Sequence, residues 1–390
     1  MRTRLQRIAL NPGCPEQSVS LRRALFSVSF CLLLLSCTRV EKMDLSRLTL
    51  PPGFHIAIFA EAPHARQMAF SPGGVLLVTD TSDGTVLAFP DAKNTGRAER
   101  MVPVLSGLNA PHGIAFHKGK LYVAEINAVR QYGWDESQLR AGNGKKIVDL
   151  PGSDGGHSTR TILFANGKMY VAVGSSCNVC VEDDKRRAAV TEYNEDGSSQ
   201  RIFASGLRNA VGLTVNPQTN TIWATDNGRD WLGDDLPPEE VNDLGPSGRN
   251  AGWPYCYGNR VLDRSQSLDY DCSKTIAPAV EMQSHSAPLD LLFYRGEMFP
   301  AEYRGNLFVT FHGSWNRSVP TGYRVVRIKF NDKGEPQGPP EDFISGWLRP
   351  GETKKGVWMG RPVGLVVGPD GALYVSDDSA GVVYRVTWKK

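Results

Sequence analysis

The 390-residue chain has no excess of charge of either sign: 44 Lys and Arg stand against 41 Asp and Glu, for a formal net charge of +3. The basic residues are scattered rather than clustered, so the footprint of a nucleic-acid binder is missing and any bound anion must be held locally. Long apolar runs are missing too. The run "ALFSVSFCLLLLSC" (24–37) is too short for a comfortable membrane span. Helical periodicity is absent as well, because from Phe54 onward almost nothing sustains it for about ten residues. What remains is ordinary for a globular protein, 41% hydrophobic and 22% charged.

Arg22 and Arg23 precede the apolar run, which fits the hydrophobic region of a signal peptide. Its "LLSC" ending resembles a bacterial lipobox, whose cysteine becomes the lipidated first residue. Residues 1–37 are therefore expected to direct export, to the periplasm or to a lipid anchor in the membrane, with 38–49 as a linker. A plain secretory signal or an early start codon are the alternatives. Setting aside Cys14, Cys31 and Cys37 leaves Cys177, Cys180, Cys256 and Cys272, an even number that favours disulfides in an exported chain. The preferred pairing is 177–180 with 256–272. The "CNVC" spacing also suits half a zinc site or a redox pair, but no second Cys/His pair stands at a matching spacing.

The dominant pattern is an apolar run, a tight turn and a second apolar strand. It appears at 68–89, 114–132, 162–176, 213–230 and 365–386, and in divergent form at 298–330. Copies spaced by about 55 residues are what propeller blades require. The expected fold is all-β, a six-bladed β-propeller over 50–390, in preference to two stacked sandwiches, which give no reason for matching units. Gly/Pro loops precede each inner strand, at 109–113, 155–160, 206–212, 284–290 and 359–364. Holding equivalent blade positions, they should converge on one face.

Those loops offer His112, His157, Arg160, Arg208, Asn209, His285 and Arg361, with His312 and Arg317 from "FHGSWNR". Several cations around a funnel suit a small polyanion, and like charge would keep a histidine neutral and able to accept a proton. The acidic insert 226–243 offers oxygen donors of the kind Ca²⁺ prefers, although without EF-hand spacing.

The motifs "GGHSTRT", "GLRNAVGL", "DNGRD", "GWP", "HSAPL", "HGSWNR" and "GRPVGL...GPDG" come in family order. From about residue 50 the chain thereby resembles the glucose/sorbosone dehydrogenase family of pyrroloquinoline quinone (PQQ)-dependent sugar dehydrogenases, and most of all its L-sorbosone branch. The resemblance implies oxidation of a sugar or sugar-derived aldehyde, with PQQ and Ca²⁺ as cofactors and an external electron acceptor as partner. It implies His157 as the base and Arg208 as stabiliser of charge on the quinone, with Asn209 beside it. It places Arg361 and the position of His285 at the cofactor, the carbonyls of Gly228 and Arg229 on the cofactor's Ca²⁺, and Glu240 at a structural Ca²⁺ site, and the converging loops add Arg160, Asn209, His312 and Arg317 as expected cofactor-binding residues. The chain departs from the family where Val363 replaces an arginine, His285 a threonine, and Arg160 stands three residues after the histidine rather than four. A non-catalytic propeller binding glycans or proteins is the alternative, a metal-dependent lactonase ranks last, and the protein is expected as a monomer or homodimer.

Overall fold

The blade repeat closes into a ring. In the computed structural model, which describes residues 43–152 and 155–390, six sheets stand side by side, with one small hairpin besides. The expected export segment and Cys14, Cys31 and Cys37 lie outside the described residues.

The innermost strands are Ala65–Phe70, Ile114–His117, Arg160–Ala165, Leu213–Val215, Pro288–Phe293 and Pro362–Val367. Each packs against the next in that order and the last packs against the first. The second strands, such as Leu76–Asp80, Ile222–Asp226 and Leu373–Asp377, are buried along their whole length. A neighbouring blade covers each face, which is why the first three residues of these strands are apolar without alternation, while the Thr-Asp or Ser-Asp that ends each one is buried and hydrogen-bonded. The hairpin turns follow local chemistry: Asn166 and Gly167 have φ of 51° and 71°, the two positive values that a two-residue turn matched to strand twist needs.

Closure joins the two ends of the chain. Phe54–Glu61 pairs antiparallel with Val382–Trp388, completing the sheet of the sixth blade with the first strand. Hydroxyls latch neighbouring blades near the axis: Thr79 donates to the His112 carbonyl (2.8 Å), Thr310 to that of Val363 (2.6 Å), and Ser376 to that of Arg66 (2.5 Å). His112 is a loop residue, and Arg66 and Val363 stand where a register shift interrupts the ladder of their strands, so each latch meets a carbonyl the regular ladder does not use.

The fourth blade carries the longest excursion. Between its outer strands Glu239–Asp243 and Val280–Met282 lie the hairpin of Cys256–Tyr257 and Val261–Leu262 and the turn Cys272–Lys274. The disulfide Cys256–Cys272 ties this excursion together, and Cys177–Cys180 closes the "CNVC" loop of the third blade. Both pairings match the expected ones.

Candidate active site

Gly155 and Gly156 have φ of 112° and 74°. A Cβ on Gly156 would stand 2.4 Å from the Ser176 carbonyl carbon, so only glycine lets this loop lie against 175–176. The contact fixes the next residue. The His157 amide donates to the Ser175 carbonyl (3.0 Å), and Nδ1 lies 3.0 Å from the same oxygen and 3.1 Å from Ser175 Oγ. A carbonyl only accepts, and Ser175 Oγ spends its proton on the Cys177 carbonyl (2.6 Å). Nδ1 therefore carries the hydrogen and Nε2 keeps a lone pair. Burial first, and then the Arg208 charge, hold the imidazole down at about 4. His157 is neutral at neutral pH.

His157 lines a cavity of about 460 Å³ together with Asn178, Arg208, Asn209, Asp230, Glu239, His285 and Trp315. Arg208 anchors one wall with all its donors. Nε–H goes to the Asn178 carbonyl, Nη1 to those of Asn227 and Gly228, and Nη2 to Asn178 Oδ1 and Asp230 Oδ2 (3.0 Å each). A guanidinium has five N–H groups, and here each has a protein acceptor. Asn209 is held through its backbone by Asp226, while its buried Oδ1 has no partner. Glu239 accepts from the amides of Gly228 (2.8 Å) and Ala287 (3.2 Å), and burial pushes its carboxyl up to about 7.

The expected ring of cations is not there. Arg160 is fully buried behind the histidine loop, donating to the carbonyls of Ile126, Pro151, His157 and Thr159. It positions the loop and has no face on the cavity. His312 is turned to Asp378 (2.9 Å), which also pairs with Arg66 (2.7 Å). Arg317 reaches Asp234 and Asp235, and Arg361 donates to the His312 and Gly313 carbonyls. These three lie outside the cavity lining. The reason is common to all four: each loop has carbonyls or carboxylates of its own to satisfy, and a guanidinium or imidazole on the page of the sequence does not reveal that demand. Val363 is likewise accounted for, packed with Val211 and Leu289 in a small apolar cluster where an arginine would have no partner.

His285 does line the cavity, with Nε2 2.8 Å from the Gly233 carbonyl, so it also clips the 226–238 loop in place. Gly228 lines it as well. Arg229 is not part of that lining, its side chain pairs with Asp263, and Glu240 accepts from Asn242 Nδ2 (2.9 Å) and the Gly258 amide (2.7 Å). Glu240, Asp226, Asp263 and Arg229 surround a separate small cavity of about 20 Å³, large enough for one ion or water. Burial raises the Glu240 and Asp226 carboxyls above their usual range.

Sequence reasoning missed Asn178, Asp230, Glu239 and Trp315. Asn178 is the hub, accepting from Arg208 and from the Asp230 amide (2.8 Å), and its place between two paired cysteines was the available signal. Glu239 had none, because it adjoins Glu240 in one strand, and only the register that sets Glu240 opposite Asp226 decides which of the two lines the cavity.

The donor set can be tested against the implied cofactor. Among the charged groups lining the cavity, Arg208 is already matched to Asp230, and Glu239 adds acidity, so these walls alone do not attract a tricarboxylate. Glu239, the unpartnered Asn209 Oδ1 and nearby carbonyls are hard oxygen donors. They fit a divalent cation, and a cation bound there would reverse the local field and admit an anionic quinone. The volume suits a ligand of that size.

The family described as TrAA12-like matches residues 48–389. A "Pyrroloquinoline quinone-dependent pyranose dehydrogenase" of Coprinopsis cinerea is 27% identical over 87% of this chain, which spans only 54% of that protein. The solved "Holo form of Pyranose Dehydrogenase PQQ domain from Coprinopsis cinerea" superposes with a TM-score of 0.75 at 25% identity, covering 87% of this chain and 97% of that one. The "Calcium structure of Trichoderma reesei Carbohydrate-Active Enzymes Family AA12" gives a TM-score of 0.79 at 23% identity, over 90% and 100%.

Proposed function

The chain belongs to the TrAA12-like family, and on that premise we propose that it is a PQQ- and Ca²⁺-dependent dehydrogenase. Its substrate is a sugar or a sugar-derived aldehyde of the aldose or sorbosone type, and its electrons leave to an external acceptor. The observation that carries this reading is the neutral His157 in the cavity lining, with Nδ1 held by Ser175, which leaves Nε2 as the nitrogen that can accept a proton. When bound, the quinone supplies a two-electron oxidant that accepts hydride from the substrate carbon. All other parts belong to the chain.

Nε2 of His157 takes the proton from the hydroxyl being oxidised, or from the hydrated form of an aldehyde, and Ser175 keeps the ring from turning away as the imidazolium forms. Arg208, with its donors committed to protein acceptors and its charge matched by Asp230, fixes the Asn178, Gly228 and Asp230 walls in place. Glu239, Asn209 Oδ1 and the Gly228 carbonyl are the oxygens that would hold Ca²⁺. The protein is exported, to the periplasm or to a lipid anchor.

The test is dye-coupled oxidation by residues 38–390, titrated with PQQ in Ca²⁺ or in chelator, over aldoses and sugar aldehydes. Turnover that needs both supports the proposal. A folded protein that binds glycans without turnover at any PQQ concentration would replace it with the binding-propeller reading.

A further inference from the structure

Of the eight tryptophans in the chain, two are exposed, Trp231 at 67% and Trp315 at 61%. They are neighbours. Their ring centroids lie 5.4 Å apart at 87°, so the edge of one meets the face of the other and the outer faces stay open at a right angle. Trp315 lines the cavity beside His157, and Trp231 follows Asp230, which lines it too. The pair therefore continues the cavity wall outward.

Nothing about the fold requires this exposure. Leaving large apolar rings in water is unfavourable by about 25 cal/mol per Å², and Trp231 is further held at φ 71°, a strained value for a bulky residue. The strain is locked in from both sides. Asp230 is bound by Arg208 and Asn178, and the Gly233 carbonyl meets His285. Across the gap Arg317 grips Asp234 and Asp235, while the Ser318 amide donates to Asp234 Oδ1 (2.9 Å) and Asn316 reaches Asp230 (3.4 Å). Two loops from different blades are cross-linked so that both rings keep their positions.

We propose that Trp231 and Trp315 form a saccharide platform at the cavity mouth, which takes the apolar face of a second pyranose ring while the ring to be oxidised sits against His157. A pyranose presents C–H groups on its face and hydroxyls around its edge. The open indole faces match the face, and Asp235, 87% exposed and held in place by the mostly buried Arg317, is the hydrogen-bonding group for the edge. A protein partner is less well matched, because a corner two rings wide is far short of the roughly 800 Å² per side that a specific interface uses. The preferred substrate is thus an oligosaccharide or a glycan end, oxidised at its terminal ring. This rests on the dehydrogenase reading only for the oxidation; binding does not depend on it.

The test separates the two. Apo-protein is titrated with glucose, cellobiose and maltose, and binding is read by tryptophan fluorescence and by saturation-transfer NMR on the sugar C–H protons. At least one disaccharide should bind tenfold or more tighter than glucose, and Trp231→Ala and Trp315→Ala should each remove that advantage, while Trp315→Tyr keeps part of it. Both side chains are exposed, so circular dichroism should show folded variants. No disaccharide preference in the wild type, or an equal preference in the Ala variants, overturns the platform whatever the oxidation assay shows. If the variants change only the KM for a protein electron acceptor, the corner is a docking site for that acceptor and the proposal fails. Disaccharide binding lost in the variants, in a protein that never oxidises sugar, leaves the platform standing and the dehydrogenase reading refuted.

Discussion

Replacing His157 by Asn keeps a side-chain amide that can donate to the Ser175 carbonyl but removes the nitrogen that accepts a proton. General-base catalysis contributes about 10²- to 10⁴-fold, so kcat should fall by that amount. The pH profile is the sharper test. With the imidazole held at about 4 by burial and by Arg208, the base stays unprotonated down to roughly pH 5, since one pH unit above the pKa leaves about 90% in the basic form. An unperturbed imidazole near 6.5 would be about 90% protonated at pH 5.5 and cost close to tenfold there. In saturating PQQ and Ca²⁺, where the bound cation keeps Glu239 ionised although burial alone pushes it up to about 7, kcat/KM at pH 5.5 is therefore expected within about twofold of its value at pH 7.5, with the acid limb centred near 4. Dye-coupled initial rates across that range, with the dye checked for its own pH dependence, measure it. A limb centred above pH 6 that His157→Asn abolishes would refute the desolvated site. A limb unchanged in that variant, with turnover intact, would refute the assignment of the base.

Arg160→Met strips the donor from the carbonyls of Ile126, Pro151, His157 and Thr159. At about 1 kcal/mol or more for each buried acceptor left open, a loss of roughly 4 kcal/mol is expected in urea unfolding, together with loss of PQQ affinity; an unchanged midpoint would contradict its placement. Gly156→Ala puts a methyl 2.4 Å from the Ser176 carbonyl at a φ of 74°, so activity should collapse while the blades still melt cooperatively, and a fully active variant would show that the loop does not need that approach. Removing the Cys256–Cys272 link by paired serine substitutions opens a loop of sequence separation 16. The expected cost is about 3 kcal/mol of stability, read by thermal unfolding with and without reductant.

The fold was legible because each blade repeats the same constraint. The "LLV" and "LYV" starts of the second strands must be apolar on both faces, and Asn166-Gly167 must turn tightly, whatever the neighbouring loops do. An even number of cysteines, in a chain expected to be exported, pointed to two disulfides, while the count alone left three pairings open. The site was legible only in part. Two glycines before His157 announced a fixed approach, but its role as a base came from the family resemblance and not from the turn. The arginines misled, since charge in a loop reads alike whether it faces a cavity, as Arg208 does, or satisfies carbonyls behind it, as Arg160 does. Glu239 was invisible because it sits beside Glu240 in the same short strand and register alone decides which one faces the cavity.

The central claim is that this cavity holds an anionic quinone only together with a divalent cation. Equilibrium titration of the apo-protein with PQQ, followed by absorbance in Ca²⁺ and in chelator, tests it most directly. The account predicts one equivalent bound in Ca²⁺, loss of most affinity in chelator, weakened binding in Glu239→Gln, and unchanged stoichiometry in His157→Asn. Binding of PQQ with equal affinity in chelator, or no binding under either condition, would contradict it.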